Sequence, residues 1–485
     1  MADIILINPH GTKFVGDFTL PLGLLQSATY ISQNYNVKLL DLRVKPNWKA
    51  SLLEELKKGP YFVGISTMTG PNLISALEIS KFVKDNSNAL VVWGGIHATS
   101  LPIETAKEPL VDIVVKGEGE ETFNELADSI INNRPLNNIK GVYYKKNGVV
   151  KSNPDRPPID LNKLPQIPFD ILDDVEKYVW EGEDGNRVMS YMSSRGCPQQ
   201  CTFCYITDFY KSKWKWFDAE RVLDDFEYMV NRFKLNHIYV NDDNFFVDLK
   251  RSEDIARGIL DRKIDISWDV LGAHSASVLR MTPEFIKTLD KSRCRGMLIG
   301  AETGSPRIHK LIRKNITPEM LIRGNKKFIG TDIIPTYSFT SGYPTETKQE
   351  LQMTVDLLFK LWKDNKNIVP GNIKPLMPYP GTPLYQIALE YGFNPPKTAK
   401  NWADITWDNY MKLDLPWMTQ KEKRLRVDLY YATVLMNPEY MFIRNKLFKT
   451  VTSIVSPIMK FRVKNLNFNL PLELSAARTI HHGLL

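Results

Sequence analysis

Cysteines are scarce and clustered in this 485-residue chain: Cys197, Cys201 and Cys204, three of the four, are spaced CxxxCxxC within the segment SSRGCPQQCTFCY. Three thiolates at this spacing can hold three irons of a four-iron, four-sulfur cluster. The fourth iron is then left without a protein ligand, free to bind a small molecule. A zinc knuckle is the competing reading, but it needs a fourth ligand in reach. Cys294 lies far along the chain and reads as a small buried hydrophobe.

Two stretches of β/α alternation would position this loop. In the first, the apolar runs at 4–8, 37–42, 62–67, 90–95 and 112–117 read as buried parallel strands, with helices such as 71–85 between them. That is the pattern of a doubly wound, Rossmann-like sheet, whose ligands sit at the carboxyl ends of the strands. Those ends carry Asn8, Pro9, His10 and Gly11; Ser66, Thr67 and Met68; Gly94, Gly95 and His97; and Gly117 and Glu118. Glycines there let a flat, bulky ligand approach the backbone and hydroxyls offer it polar partners, although ordinary turn glycines explain them equally well.

Residues 136–185 read as a linker, with a hairpin at 142–151 turning on Asn147-Gly148 and then a run of prolines. From 186 to 390 a second alternation starts at VMSYMSS and continues through strands at 237–242, 266–271, 296–302, 335–342 and 372–378. Six such units make a partial (β/α)6 version of the eightfold barrel, with the cysteines just after its first strand. Residues 391–485 read as a mainly helical C-terminal domain. Within it, Met441 to Lys464 holds Arg444, Lys446, Lys449, Lys460, Arg462 and Lys464 and no acidic residue, interleaved with apolar side chains. Such a segment can lie on an anionic membrane surface; solvated lysines on a packed element account for it as well. Pro457 is expected to break any single helix across it.

Hydrophobic content of 43% and charged content of 24% are ordinary for a globular protein. No run approaches the roughly 18–20 apolar residues that a membrane span requires, and MADIILINPH reads as a strand. Clustered cysteines argue for metal and a reducing compartment, so a cytoplasmic protein is expected. The net charge of +8 permits an acidic partner; no nucleic-acid partner is expected, and the oligomeric state is left open.

The cysteine motif resembles that of the radical S-adenosylmethionine (SAM) enzymes. The resemblance implies a 4Fe-4S cluster whose open iron chelates SAM, reductive cleavage to a 5'-deoxyadenosyl radical, and an external one-electron donor such as flavodoxin or ferredoxin. It also implies that Phe203 lies against the adenine and that Asn241, Asp242 and Asp243, ending the second barrel strand, meet the SAM amino group. Adjacent carboxylates at a strand mouth suit ligand contact because burying them is costly, while Asp242 or Asp243 could instead cap the next helix. GAETGSP at 300–306 is similar to a segment near the SAM ribose, so Glu302 is carried over; a structural salt bridge is its other reading. GYPTET at 342–347 and PYPGTPLY at 378–385 also match the family. Tyr343, Tyr337 and His274 are candidates to hold substrate or quench a product radical, and each also reads as a packed barrel residue.

Residues 1–135, through LINP, PLGLL, VVWGGIHATSLPIE and VDIVVKGEGEETF, resemble the cobalamin-binding domain of one large class of these enzymes. The DxHxxG motif that supplies a lower cobalt ligand is absent, which implies cobalamin bound without a histidine tail ligand, and His10 reads as a loop residue. The implied activity is C-methylation of an unactivated carbon in a small-molecule or lipid substrate, using the deoxyadenosyl radical and methylcobalamin. Alternatives are a cyclase, oxidase or rearrangement enzyme of the same architecture acting on a lipid or tetrapyrrole, or a non-catalytic cobalamin-binding protein.

Overall fold

A computed structural model describes residues 3–11, 19–182, 185–437, 446–469 and 474. The first apolar runs form a parallel sheet in the order Val37–Asp41, Ile4–Asn8, Phe62–Ser66, Leu90–Gly94, Ile113–Val115. Residues Ile4 to Ile7 are all fully buried, as strands covered on both faces must be. The hairpin expected within the linker joins this sheet: Val142–Lys146 pairs antiparallel with Ile113–Val115, and Val149–Ser152 pairs with Val142–Lys146. The N-terminal sheet therefore runs past residue 135.

The second sheet is wound in sequence order from Arg187–Tyr191 through His237–Val240, Ser267–His274, Cys294–Glu302 and Ile334–Ser341 to Val369–Pro375, all parallel, with Trp180–Glu181 antiparallel at one edge. Six parallel strands with helices between them are the open barrel read from the sequence. The short antiparallel strands Ser194–Gly196 and Trp214–Trp216 bracket the cysteine loop.

The C-terminal region is helical but not separate. Residues of the 377–415 segment, including Met377, Tyr385, Trp402 and Tyr410, share one apolar core with Ile65, Val91 and Trp93 of the first sheet. Helix Gln420–Leu435, opened by a capping box of Thr419 and Glu422, lies on the barrel's edge strand, where Ile373 N–H donates to Thr433 Oγ1 at 3.1 Å.

The expected break at Pro457 does not occur: helix Lys446–Asn465 runs through it. Thr452, Ser456, Met459 and Val463 bury its inner face, and Ser456 Oγ donates to Met436 O at 2.7 Å. Burying Met459 and Val463 is worth about 1.5–3 kcal/mol each, enough to offset the ~3 kcal/mol that an internal proline costs. Tertiary packing thus overrides the local rule. Met441 and Arg444 of the basic segment lie outside the described residues.

Candidate active site

The cysteine loop is held from behind by the strand next to it. Asp242, just past His237–Val240, accepts the Ser193 N–H and the hydroxyls of Ser193 and Ser194, each at 2.6 Å. Burial pushes its pKa up, and the charge of Arg251 opposes the rise; Arg251 also donates to Ser193 O at 3.0 Å. Asp242 is therefore engaged in shaping the loop. Asp243 accepts the Gly196 N–H at 2.7 Å, and its carboxyl opens into a cavity whose walls crowd out bulk water and lift its pKa to about 6. Asn244 Nδ2 donates to Cys197 Sγ at 3.4 Å, and its buried Oδ1 has no protein partner.

That cavity, of about 450 Å³, lies at the carboxyl ends of the barrel strands. Cys197, Cys201, Cys204, Phe203, Asn241, Asp242, Asp243, Glu302 and His274 all line it, so the sequence-derived constellation converges. Glu302 takes φ +62° at a shift in strand register, a conformation costly for a non-glycine residue. Its carboxylate is paired with Lys314 Nζ at 2.9 Å, both side chains being buried. Gly300 makes this possible: a Cβ there would lie 2.4 Å from Glu302 Oε1 and 2.6 Å from Lys314 Nζ. Burial alone would lower the Lys314 pKa, but the charge and hydrogen bond of Glu302, with the neighbouring Cys201 and Cys204, together outweigh it and the ammonium stays protonated. The same ammonium sits 5.9 Å from the Phe203 ring centroid.

Burial pushes the Cys201 thiol up to about 11 and that of Cys204 to about 12, with the Lys314 charge pulling Cys201 the other way. The metal-free thiols therefore carry protons that iron must displace.

Among the candidate catalytic residues, His274 has both ring nitrogens committed. Nδ1 accepts the Ala276 N–H at 3.3 Å, so Nε2 carries the proton donated to Lys314 O at 3.2 Å. Burial and the Lys314 charge lower its pKa to about 3. Tyr337 turns away to Asn325 Oδ1 at 3.2 Å, and Tyr343 packs with Ile308, Ile312, Leu376 and Leu384 behind Phe203. Neither tyrosine lines the cavity.

A second cavity, of about 370 Å³, opens at the carboxyl ends of the first sheet and is lined by Asn8, Ser66, Thr67, Met68, Gly94, Gly95, Gly117 and Glu118. Gly95 has φ +95°, and a Cβ there would lie 2.6 Å from Thr67 O, so the rim demands glycine. His97 is not part of this lining. Its Nδ1 pairs with Thr69 Oγ1 at 2.9 Å, its ring meets Trp402 edge-on at 6.2 Å, and burial lowers its pKa to about 4. His10 stacks on Trp48 at 5.0 Å.

Two features that sequence reading missed join the cavities. Arg195, two residues before Cys197, is buried against Glu118 at 2.8 Å, Glu120 at 2.6 Å and Gln26 Oε1 at 2.8 Å, which ties the cysteine loop to the first domain. Lys215 pairs with the other oxygen of Glu118. Tyr205, next to Cys204, borders both cavities.

The family model described as the Radical SAM superfamily matches residues 191–358, and the one described as the B12 binding domain matches residues 12–127. A protein called "Uncharacterized methyltransferase PH0819", from Pyrococcus horikoshii, is 33% identical over 419 residues, covering 85% of this chain and 88% of its own. The chain belongs to the cobalamin-binding radical SAM enzymes. Two solved members of this class share the fold. The cobalamin-dependent SAM radical enzyme OxsB, with aqua-cobalamin and SAM bound, aligns with TM-score 0.74 and 16% identity over 99% of this chain and 75% of its own. The radical SAM methyltransferase TsrM from Kitasatospora setae, with cobalamin and a [4Fe-4S] cluster bound, aligns with TM-score 0.68 and 20% identity over 81% of this chain and 79% of its own.

The residues present suit the cofactors of a cobalamin-binding radical SAM enzyme. Three thiols share one cavity with paired charges and an aromatic ring, and the orphaned Asn244 Oδ1 marks a polar wall without a protein partner. The first sheet ends in a rim where side chains are sterically excluded at Gly95.

Proposed function

We propose that this enzyme methylates an unactivated carbon of a small-molecule or lipid substrate. One observation carries the reading: the cavity holding the cysteines and the cavity of the first sheet share one wall residue, Tyr205, so groups bound in each would lie on either side of a single aromatic side chain. When bound, the cluster with SAM supplies a carbon-centred radical that can take hydrogen from an inert C–H, and the cobalamin supplies a transferable methyl group.

The chain's own residues hold and separate these groups. Cys197, Cys201 and Cys204 ligate the cluster. Lys314 and Glu302, held opposite each other, offer the SAM carboxylate a cation and its amino or ribose groups an acceptor, while Asp243 presents a further carboxylate on the same wall. Phe203 gives the adenine an apolar face. Ser66, Thr67, Gly94, Gly95, Gly117 and Glu118 form the seat for the corrin, and the committed ring of His274 positions Lys314 through its carbonyl. An external one-electron donor and a reducing, cytoplasmic setting belong to the same reading.

The test is anaerobic reconstitution with iron, sulfide, hydroxocobalamin and reductant, followed by incubation with methyl-deuterated SAM and an anaerobic metabolite extract. The expected result is 5'-deoxyadenosine together with a product bearing the labelled methyl, both absent in Cys201→Ala. A product that loses two hydrogens and carries no label would establish cyclisation or oxidation instead. Absence of 5'-deoxyadenosine under every condition would leave a cobalamin-binding protein without catalysis.

A further inference from the structure

The outward face of helix Lys446–Asn465 has no role in the reading above, and its composition is unusual for a surface. Ile454, Ile458 and Phe461 are 71%, 51% and 63% exposed. Their spacing of four and three residues puts them in one stripe along the helix, with Pro457 exposed beside them. The opposite face is already buried through Thr452, Ser456, Met459 and Val463. A helix apolar on two faces is normally covered on both.

The charges beside the stripe identify the cover. At about 100° per residue, Arg462 and Lys464 fall about 80° to either side of the stripe's centre. Lys460 lies further round, its ammonium over the Trp362 ring at 4.4 Å. From Tyr440 to Leu472 the sequence holds Arg444, Lys446, Lys449, Lys460, Arg462 and Lys464 and no acidic residue. An apolar ridge flanked by cations on both sides suits the headgroup boundary of an anionic bilayer, where the ridge enters the acyl region and the long basic side chains reach back to phosphates. A second copy of the chain meeting this one through the same face would set basic flank against basic flank. Among the described residues no helix is long and apolar enough to cross a membrane, so the contact is peripheral.

We propose that the Ile454–Ile458–Phe461 ridge docks the enzyme on an anionic lipid surface. Docking there would bring the molecule to poorly water-soluble substrates, but the proposal is read by lipid binding alone and stands apart from the reaction assigned above.

The test uses the full chain, prepared anaerobically, and sedimentation with sucrose-loaded vesicles of phosphatidylcholine alone or mixed with phosphatidylglycerol. Wild-type protein is expected to sediment with the mixed vesicles and to be released by salt. Ile458→Ser/Phe461→Ser should weaken binding by at least about tenfold, and Arg462→Gln/Lys464→Gln by about tenfold or more, since each surface charge contributes severalfold. Ile454→Ser provides a milder second test of the ridge. Ile454, Ile458, Phe461 and Lys464 are exposed, while Arg462 is half-buried and also donates to Asn467 O at 3.2 Å and Asn469 O at 3.1 Å, so each variant is compared only where an unchanged thermal midpoint confirms that it is folded. No sedimentation with mixed vesicles, or equal sedimentation of wild type and both ridge variants, would overturn the proposal. A dimer by light scattering that the ridge variants dissociate would overturn it in favour of a second copy of the chain.

Discussion

Arg195→Met is the most informative single change. In the native protein Glu120 is 2% exposed, and its carboxylate reaches Arg195 through one oxygen while the other has no hydrogen-bond partner. Removing the guanidinium but keeping the aliphatic volume strands that carboxylate, whereas Glu118 keeps Lys215. Removing one partner of a buried ion pair costs about 3–5 kcal/mol. At about 2–4 °C per kcal/mol for a domain of this size, the thermal midpoint of the first transition should fall by about 6–20 °C. Adding Glu120→Gln removes the stranded charge, so the double variant should recover more than half of the loss. The assay is thermal unfolding by circular dichroism under anaerobic conditions for the wild type, both single variants and the double. A fall below about 1 kcal/mol, or no recovery in the double variant, would refute the claim that this bridge clamps the cysteine loop to the first domain. Cobalamin affinity, measured by absorbance titration, should weaken in Arg195→Met in parallel, because Glu118 and Glu120 line the same cavity as Arg195.

Lys314→Met should leave Glu302 without its cation and weaken SAM binding at least about tenfold by equilibrium dialysis, with Lys314→Arg recovering part of it; unchanged affinity would remove Lys314 from the SAM wall. Tyr205→Ala should raise the ratio of 5'-deoxyadenosine to methylated product several-fold while Tyr205→Phe stays near wild type, and an unchanged ratio would deny Tyr205 a role between the cavities. His97, lowered by burial from 6.5 to about 4, withholds a proton that the unfolded chain takes up. Its contribution is complete above about pH 6.5 and is lost as pH falls towards 4. This amounts to about 2 kcal/mol between pH 7 and 5, so urea unfolding of His97→Gln should lose that much less over the interval. An identical pH dependence in wild type and variant would contradict the burial of a neutral ring.

The strands were legible because continuous aliphatic runs such as those around Ile4 and Val91 have few alternatives in an alternating β/α chain. The convergence of the three cysteines, Phe203, Asp243 and Glu302 on one cavity was legible because their motifs are local. Arg195, Lys314 and Asn244 were not, since their partners come from other elements: Glu118 and Glu120 of the first domain, Glu302 on the far side of helix Pro306–Leu311, and Cys197 of the cysteine loop. Asp242 shows the reverse case. It lies where a ligand contact is expected, yet its oxygens serve Ser193 and Ser194, a choice fixed by backbone direction. His97 sits in a glycine-rich phrase beside the rim, and a single helical turn carries it away towards Trp402. Pro457 misled because intrinsic helix preference carries no information about what a helix packs against.

The shared core of Trp93 with Trp402 and Tyr410 also has a bearing on biosynthesis. On the ribosome, the first domain emerges long before the segment that completes its apolar face, so the part of that face not covered by its own helices stays open to solvent while the barrel is being made. An N-terminal fragment expressed alone should be sticky and in need of a chaperone.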